Sequence, residues 1–311
     1  MISILGAGVT GLCAATALHE RGLQVEVVVP DGATPPASNL AGGMLAPYCE
    51  GESAPEIIVQ RGQSALNWWR ARTPSYAATG TLVIAPPRDR AELDRFARAT
   101  RAHRWIDPAT LEPDLAGRFN TALFFADEAY IDPNAAMADL RAVLTSGGVR
   151  FHSSTPEGQI VDCRGYAARD LLPDLRAVRG EMLTLHAPDV TLTRTIRLLH
   201  PRFPCYMVPR GEHRYMIGAT MVESAHTGAI TARAVMELLS AAYAIHPGFA
   251  EAEVIATGVG LRPAFADNIP AIRRQRDRIH INGMYRHGFL MAPALAEDLA
   301  QLLTHEVHHA H

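Results

Sequence analysis

The hexapeptide GAGVTG, residues 6–11, follows the apolar run ISIL and leads into LCAATALHERG, whose apolar spacing is helical and which ends at Gly22. A valine-rich run, LQVEVVV at residues 23–29, reads as a second strand. Strand, glycine turn, helix and strand within about thirty residues form a βαβ unit, which commits the chain to a parallel sheet. In that setting Gly6, Gly8 and Gly11 hold the G-x-G-x-x-G spacing. With Val9 and Thr10 between them, they are predicted to bring backbone N–H groups and a helix N-terminus against the pyrophosphate of a dinucleotide. An acid normally ends the second strand and takes the ribose hydroxyls. Pro30 stands in that place, and Asp31 after it is either the substitute ligand or a turn residue.

Composition removes several alternatives. No lysine occurs, so all 29 basic residues are arginine, and neither a Walker-type phosphate loop nor a Schiff-base enzyme is open to the chain. A net charge of −3 offers no field for nucleic acid or an anionic membrane. Cys13, Cys49, Cys163 and Cys205 are scattered without a C-x-x-C pair, which predicts neither zinc nor a disulfide framework and fits a reduced, cytoplasmic compartment. The N-terminus runs straight into the glycine motif and no apolar run reaches about 18 residues, so neither signal peptide nor membrane helix is expected. HEVHH at 305–309 matches H-E-x-x-H through His305, Glu306 and His309. Its place in the tail, beside His308 and His311, predicts at most adventitious metal binding and no catalytic metal site.

Along the chain, residues 31–55 are Pro-, Gly- and Ala-rich without a period and read as a functional loop. Helices are expected over EIIVQRGQSALNWWRAR, RAELDRFARATRAHRW, DPNAAMADLRAVLTSGG, about 232–243 and about 293–304. Trp68 and Trp69 read as helix packing, and His200 and His246 as packing residues. Strands are expected at TGTLVIAPP, QIVDCRG, GEMLTLHA, CYMVPR, RYMIGATMV, AEVIATGVGLRP and RIHIN, with GEH as a hairpin turn between the fourth and fifth. Alternating β and α elements at both ends with strands between them predict an α/β fold, α+β overall: a Rossmann-like nucleotide domain with an inserted, mostly antiparallel β substrate domain.

Four blocks carry a more specific signal: AGGMLAP (41–47), CYMVPRGEHRYMIGATM (205–221), GVGLRPAFADNIPAI (258–272) and GMYRHGFLMAPALAEDLAQLL (283–303). In this order they resemble the D-amino-acid oxidase superfamily, most closely its glycine oxidase branch of the thiamine pathway. The resemblance implies non-covalent FAD, bound by residues 1–80, 130–180 and 256–311, with 81–129 and 181–255 forming the substrate domain. It implies oxidation of glycine to its imine and glyoxylate, with O2 reduced to H2O2, and an imine passed to thiazole synthase for thiamine. A larger D-amino acid or a secondary amine on the same fold is the alternative. A homo-oligomer is expected on the same ground.

The chemistry implied needs a clamped carboxylate and an aimed Cα–H, with no obligatory base at the carbon. Arginine suits the clamp because its planar fork makes two parallel bonds to a carboxylate. Arg286 and Arg262 match the family's two active-site arginines: Arg286 is assigned the carboxylate, and Arg262 lines the pocket. Tyr206 matches a hydroxyl reaching the same carboxylate and Met221 a pocket wall. Gly42, Gly43 and Met44 are expected to run along the flavin. Met284, Tyr285, His287, Gly288, Phe289 and Leu290 are expected to bring a helix N-terminus to the flavin's pyrimidine edge, where reduced flavin is anionic. Between GVRFHSSTPEG and QIVDCRG a hairpin usual in the family is missing, which predicts fewer contacts to adenine.

Overall fold

In the computed structural model the backbone is described for residues 1–309 and side chains through His305; Glu306, His308, His309 and His311 of the tail motif lie outside the described side chains. The first strand, β1 (Ile2–Leu5), lies inside a six-stranded sheet whose order is β16 (Ala271–Gln275), β17 (Arg278–Asn282), β9 (Gln159–Asp162), β1, β2 (Val25–Val28) and β8 (Arg150–His152). All pairs are parallel except β16–β17. The four residues of β1 and of β2 are all buried, as strands covered on both faces must be. The covering helices are α1 (Val9–Glu20), α3 (Glu56–Arg70), α5 (Pro133–Ser146) and α7 (Gly288–His309), with α7 packed along α1 and α3.

The second sheet has nine strands. β10 (Arg176–His186) carries β15 (Glu253–Ala264) along one edge, while β13 (Arg214–Gly218) and β14 (Val222–Glu223) share its other edge. From β13 the order continues through β12 (Cys205–Pro209), β11 (Thr195–Leu198), β4 (Thr81–Ile84), β6 (Ala122–Phe125) and β5 (Arg104–Ile106). Pairing is antiparallel except between β4 and β11. Helix α6 (Ala232–Ile245) packs on this sheet, and α4 (Arg90–Ala99) and the short α2 (Pro47–Glu50) cover the β4–β6 region. A two-stranded ribbon, β3 (Met44–Leu45) with β7 (Ala129–Tyr130), completes the set. Among the described residues no helix is long and apolar enough to cross a membrane.

Two expected elements end elsewhere. The helix expected over residues 90–105 stops at Ala99: Thr100 turns to extended backbone and returns its hydroxyl to the Phe96 carbonyl, and residues 104–106 pair with β6 instead. Ladder pairing there overrides helical propensity. Helix α7 begins at Gly288, not 293, and runs through Pro293. A proline removes the N–H that would serve the carbonyl four residues earlier. That carbonyl belongs to Phe289, and the indole N–H of fully buried Trp69 donates to it at 2.8 Å. Trp69 repairs the ladder that Pro293 breaks. Only residues 153–158 separate β8 from β9, so the connection is as short as the sequence implied.

Candidate active site

At the mouth of the parallel sheet the glycines are dictated by space. Gly6 has φ +100°, and a Cβ there would lie 2.9 Å from the Cys163 carbonyl oxygen; a Cβ on Gly11 would overlap the Gly6 carbonyl. Only glycine lets β1 turn into α1 this tightly. The Val9 N–H donates to the Ser38 hydroxyl oxygen at 3.1 Å, while a Cβ on Gly288 would meet Val9 at 3.4 Å. The N-termini of α1 and α7 therefore start side by side, doubling the positive end of the helix dipoles at one spot. Exposed Asp31 lines a cavity of about 530 Å³ with Ala7, Asn39, Phe151 and Ser153, and Arg141 lies over the Phe151 ring there at 4.5 Å.

The loop 41–45 approaches the second sheet. Gly43 has φ +69°, and any side chain on it would run into the Ile131 carbonyl; a Cβ on Gly42 would stand 2.6 Å from the Tyr206 ring. Arg210 donates to the carbonyls of Gly42 (2.8 Å) and Ala41 (3.3 Å), fixing the loop against β12. Met44 is held in β3 by pairing with Tyr130.

Tyr206 and Arg262 converge beside this loop. Arg262 Nη1 donates to the Thr220 carbonyl at 3.0 Å, and among the described residues no carboxylate pairs with it. Burial raises the Tyr206 phenol above its usual range, against the pull of Arg262 and Arg210, so it stays neutral and able to donate. A bare guanidinium and a neutral phenol facing one space make a seat for a carboxylate.

Arg286 is differently placed. Its Nε donates to Glu50 Oε2 at 2.9 Å and its Nη2 to the Ser53 hydroxyl at 2.7 Å. Burial raises the Glu50 carboxyl, but Arg286, His287 and Arg197 outweigh it and leave the group below the usual carboxylate range. His287 is pushed down to about 4, chiefly by burial, and is neutral at pH 7 despite Glu50 at 3.4 Å. Half-exposed Met221 closes the mouth, its sulfur 3.4 Å from the Tyr285 hydroxyl and 4.0 Å from Arg286 Nη1. The Tyr285 N–H donates to the Pro263 carbonyl at 2.7 Å, which ties the arginine-bearing loop to β15. Met284, Phe289 and Leu290 are buried in the core around α1, α3 and α7, so they face the site through backbone, not side chain.

Thus Arg262, Tyr206, Gly42, Met221, Tyr285 and Arg286 gather at one end and Gly6–Gly11 and Asp31 at the other, with Gly288, two residues from Arg286 and against Val9, between them. Glu50, Ser38 and Arg210 were not singled out in the sequence. Glu50 ends α2, in a stretch whose sequence shows no period, and only the burial of a carboxylate opposite two arginines betrays it.

A family model described as FAD dependent oxidoreductase (DAO) matches residues 1–302. A Rhizobium etli protein, named as the thiamine biosynthesis oxidoreductase ThiO, is 49% identical over 98% of this chain and 97% of its own length. The bifunctional protein ThiO/ThiG of Nostoc is 25% identical over 98% of this chain, which spans 53% of that protein. The crystal structure of glycine oxidase from Geobacillus kaustophilus superposes with a TM-score of 0.83 at 22% identity, covering 98% of this chain and 94% of that one.

Proposed function

The chain belongs to the DAO family of FAD-dependent oxidoreductases, and on that premise we propose that it oxidises glycine to its imine, which hydrolyses to glyoxylate and ammonia, with O2 reduced to H2O2. The cradle suits FAD on its own geometry: a glycine turn too tight for any side chain, two helix N-termini side by side, and an open cavity with Asp31 in the turn just past the second strand. Gly6, Gly8, Val9, Thr10 and Gly11 would hold the pyrophosphate, and Asp31 the ribose. Gly42, Gly43, Met44 and the 284–290 backbone would line the flavin. When bound, FAD supplies the two-electron acceptor for the substrate's Cα–H.

The chain's own residues bind and aim the substrate. The observation that carries this reading is Arg262 beside Tyr206 with no carboxylate of its own. We place the substrate carboxylate on Arg262, not on Arg286 as the sequence suggested, because Glu50 already neutralises Arg286. Gly42 lets the loop close on the Tyr206 ring, where a side chain would collide, and this close approach supports a small substrate. Met221 and Tyr285 form the mouth and limit water. The ThiO and ThiO/ThiG names of the relatives support a place in thiamine synthesis, with thiazole synthase as the consumer of the imine. A peroxide assay with added FAD across glycine, sarcosine, D-alanine and D-proline tests this. Glycine should be turned over fastest; a D-amino acid or sarcosine leading instead moves the assignment to a larger substrate, and no peroxide with any of them overturns the oxidase reading.

A further inference from the structure

The side chain of Arg262 follows an unusual course. In the β10–β15 ladder Arg262 is opposite Val178 and Gly260 is opposite Gly180, so residues 178 and 180 share a sheet face with Arg262. The guanidinium lies over Gly180: a Cβ built there would collide with its carbon and both terminal nitrogens. From β15 on one edge of β10, Arg262 thus crosses the strand and donates to the Thr220 carbonyl on the far edge, at 3.0 Å. Tyr206 faces Gly218 of β13 in the next ladder, with the phenol oxygen 3.1 Å from where a Gly218 Cβ would stand.

The opposite face of β10 fixes the carbonyl. Glu181 is fully buried; its Oε2 accepts from the Thr220 hydroxyl at 2.9 Å, that hydroxyl accepts from the Glu181 N–H at 2.9 Å, and the Thr220 N–H donates to the Glu181 carbonyl at 3.2 Å. Glu181 Oε1 takes the Thr231 N–H and Arg179 Nη2, both at 2.9 Å. Arg179 in turn donates to the carbonyls of His226, Gly228 and Ala229. Both carboxylate oxygens of Glu181 and both terminal nitrogens of Arg179 are engaged, with each other or with segment 220–231, which makes an ion pair there a rigid fixture instead of a loose charge.

We propose that Arg179, Gly180 and Glu181 are positioning residues that form the seat of the substrate clamp: Gly180 gives the guanidinium its floor, and Glu181, steadied by Arg179, holds the Thr220 carbonyl that aims it. This rests on Arg262 being the carboxylate's partner. The three atoms nearest a side chain at 180 all belong to the movable end of Arg262, so Gly180→Ala displaces the clamp first. Thr220→Val keeps a backbone carbonyl at 220 but cuts the hydroxyl ties to Glu181, so the carbonyl is held less firmly.

The test uses the FAD-loaded protein and four readouts: KM and kcat for glycine, the dissociation constant of acetate from the flavin absorbance change, FAD affinity from flavin fluorescence, and Tm. A misplacement of about 1 Å costs up to about a hundredfold, so Gly180→Ala should raise KM and the acetate constant together by about tenfold or more. Thr220→Val should raise both by about threefold, with kcat and FAD affinity close to wild type in each variant and Tm lowered in Thr220→Val, which leaves buried Glu181 short of a donor and an acceptor. If neither variant moves KM or the acetate constant, or if FAD affinity falls in step with them, the seat is overturned. Should Gly180→Ala fail to fold, Thr220→Val decides by the same criteria. Arg262→Ala separates the two levels: if it too leaves acetate binding unchanged, the clamp reading fails, whereas loss there with unchanged seat variants rejects only the seat.

Discussion

The two arginines at the substrate end of the molecule come from adjoining segments, β15 and the loop before α7, linked by the Tyr285 N–H to the Pro263 carbonyl. Their surroundings are opposite. Arg262 is held by a backbone carbonyl and a neutral phenol's neighbourhood, so its full charge is available to a ligand. Arg286 is paired with Glu50 and Ser53, so a ligand carboxylate there must compete with one already present. Two identical side chains in one pocket therefore do different work, and the difference lies in their partners. On the proposed reading the Arg262 side binds the substrate, and the Arg286 side joins the end of α2 to the loop before α7.

The largest effect should come from treating the two alike. Truncating one partner of a buried, hydrogen-bonded charge pair costs about 2–5 kcal/mol. Arg262→Ala is expected to lower kcat/KM for glycine by about a thousandfold, about 4 kcal/mol, while Arg286→Ala lowers it by about tenfold. Steady-state kinetics at saturating FAD give both numbers. Equal losses, or the reverse order, would break the comparison and return the carboxylate to Arg286.

The support of the Arg286 side makes it sensitive to pH. Glu128, almost wholly buried, accepts the Cys49 N–H at 2.8 Å and so pins α2 next to Glu50, while its Oε2 has no partner among the described residues. Burial pushes this carboxyl up to about 7, although the Cys49 N–H, Thr81 and Arg197 favour its charged form. The unfolded chain releases the proton near the ordinary glutamate value of 4.5, and the folded chain keeps it until about 7. Stability must then fall as pH rises through that window, by about 3 kcal/mol, and level off above it. Urea unfolding at pH 4.5 and 8 should show Glu128→Gln gaining on wild type by most of that amount at the higher pH. An unchanged difference between the two proteins would place the Glu128 titration elsewhere.

The sequence carried the architecture well because its signals were local. Gly6, Gly8 and Gly11 between β1 and α1, Asp132 capping α5 through the N–H groups of Asn134 and Ala135, and the GEH turn between β12 and β13 each act within a few residues. Where contacts over long separations decide, the reading stopped short. The start of α7 depends on Trp69, more than two hundred residues away, and the short β5, β6, β8 and β11 exist only because neighbours offer a ladder. The site divides in the same way. Arg262, Arg286, Tyr206 and Met221 stand in recognisable blocks, but which arginine is free depends on Glu50, and Glu50 sits in a segment with no period. Gly180 and Glu181 were invisible for a related reason: a glycine in a strand reads as a weakness until the side chain that crosses it is seen.

The smallest effect sharpens the comparison most, because it alters the carboxylate and leaves both arginines in place. Glu50→Gln keeps an oxygen to accept from Arg286 Nε and removes the charge that neutralises it. If Glu50 is what withholds Arg286 from ligands, the variant should bind acetate more tightly, by about fivefold, or about 1 kcal/mol, as expected for losing one like charge at a partly wetted site. Arg286→Ala in the Glu50→Gln background should cancel that gain, since the new affinity depends on the freed guanidinium. The double-mutant cycle by flavin absorbance isolates the pair term. A gain that survives removal of Arg286 would mean that Glu50 repels the carboxylate directly, and that Arg286 is a bystander on its own side of the pocket.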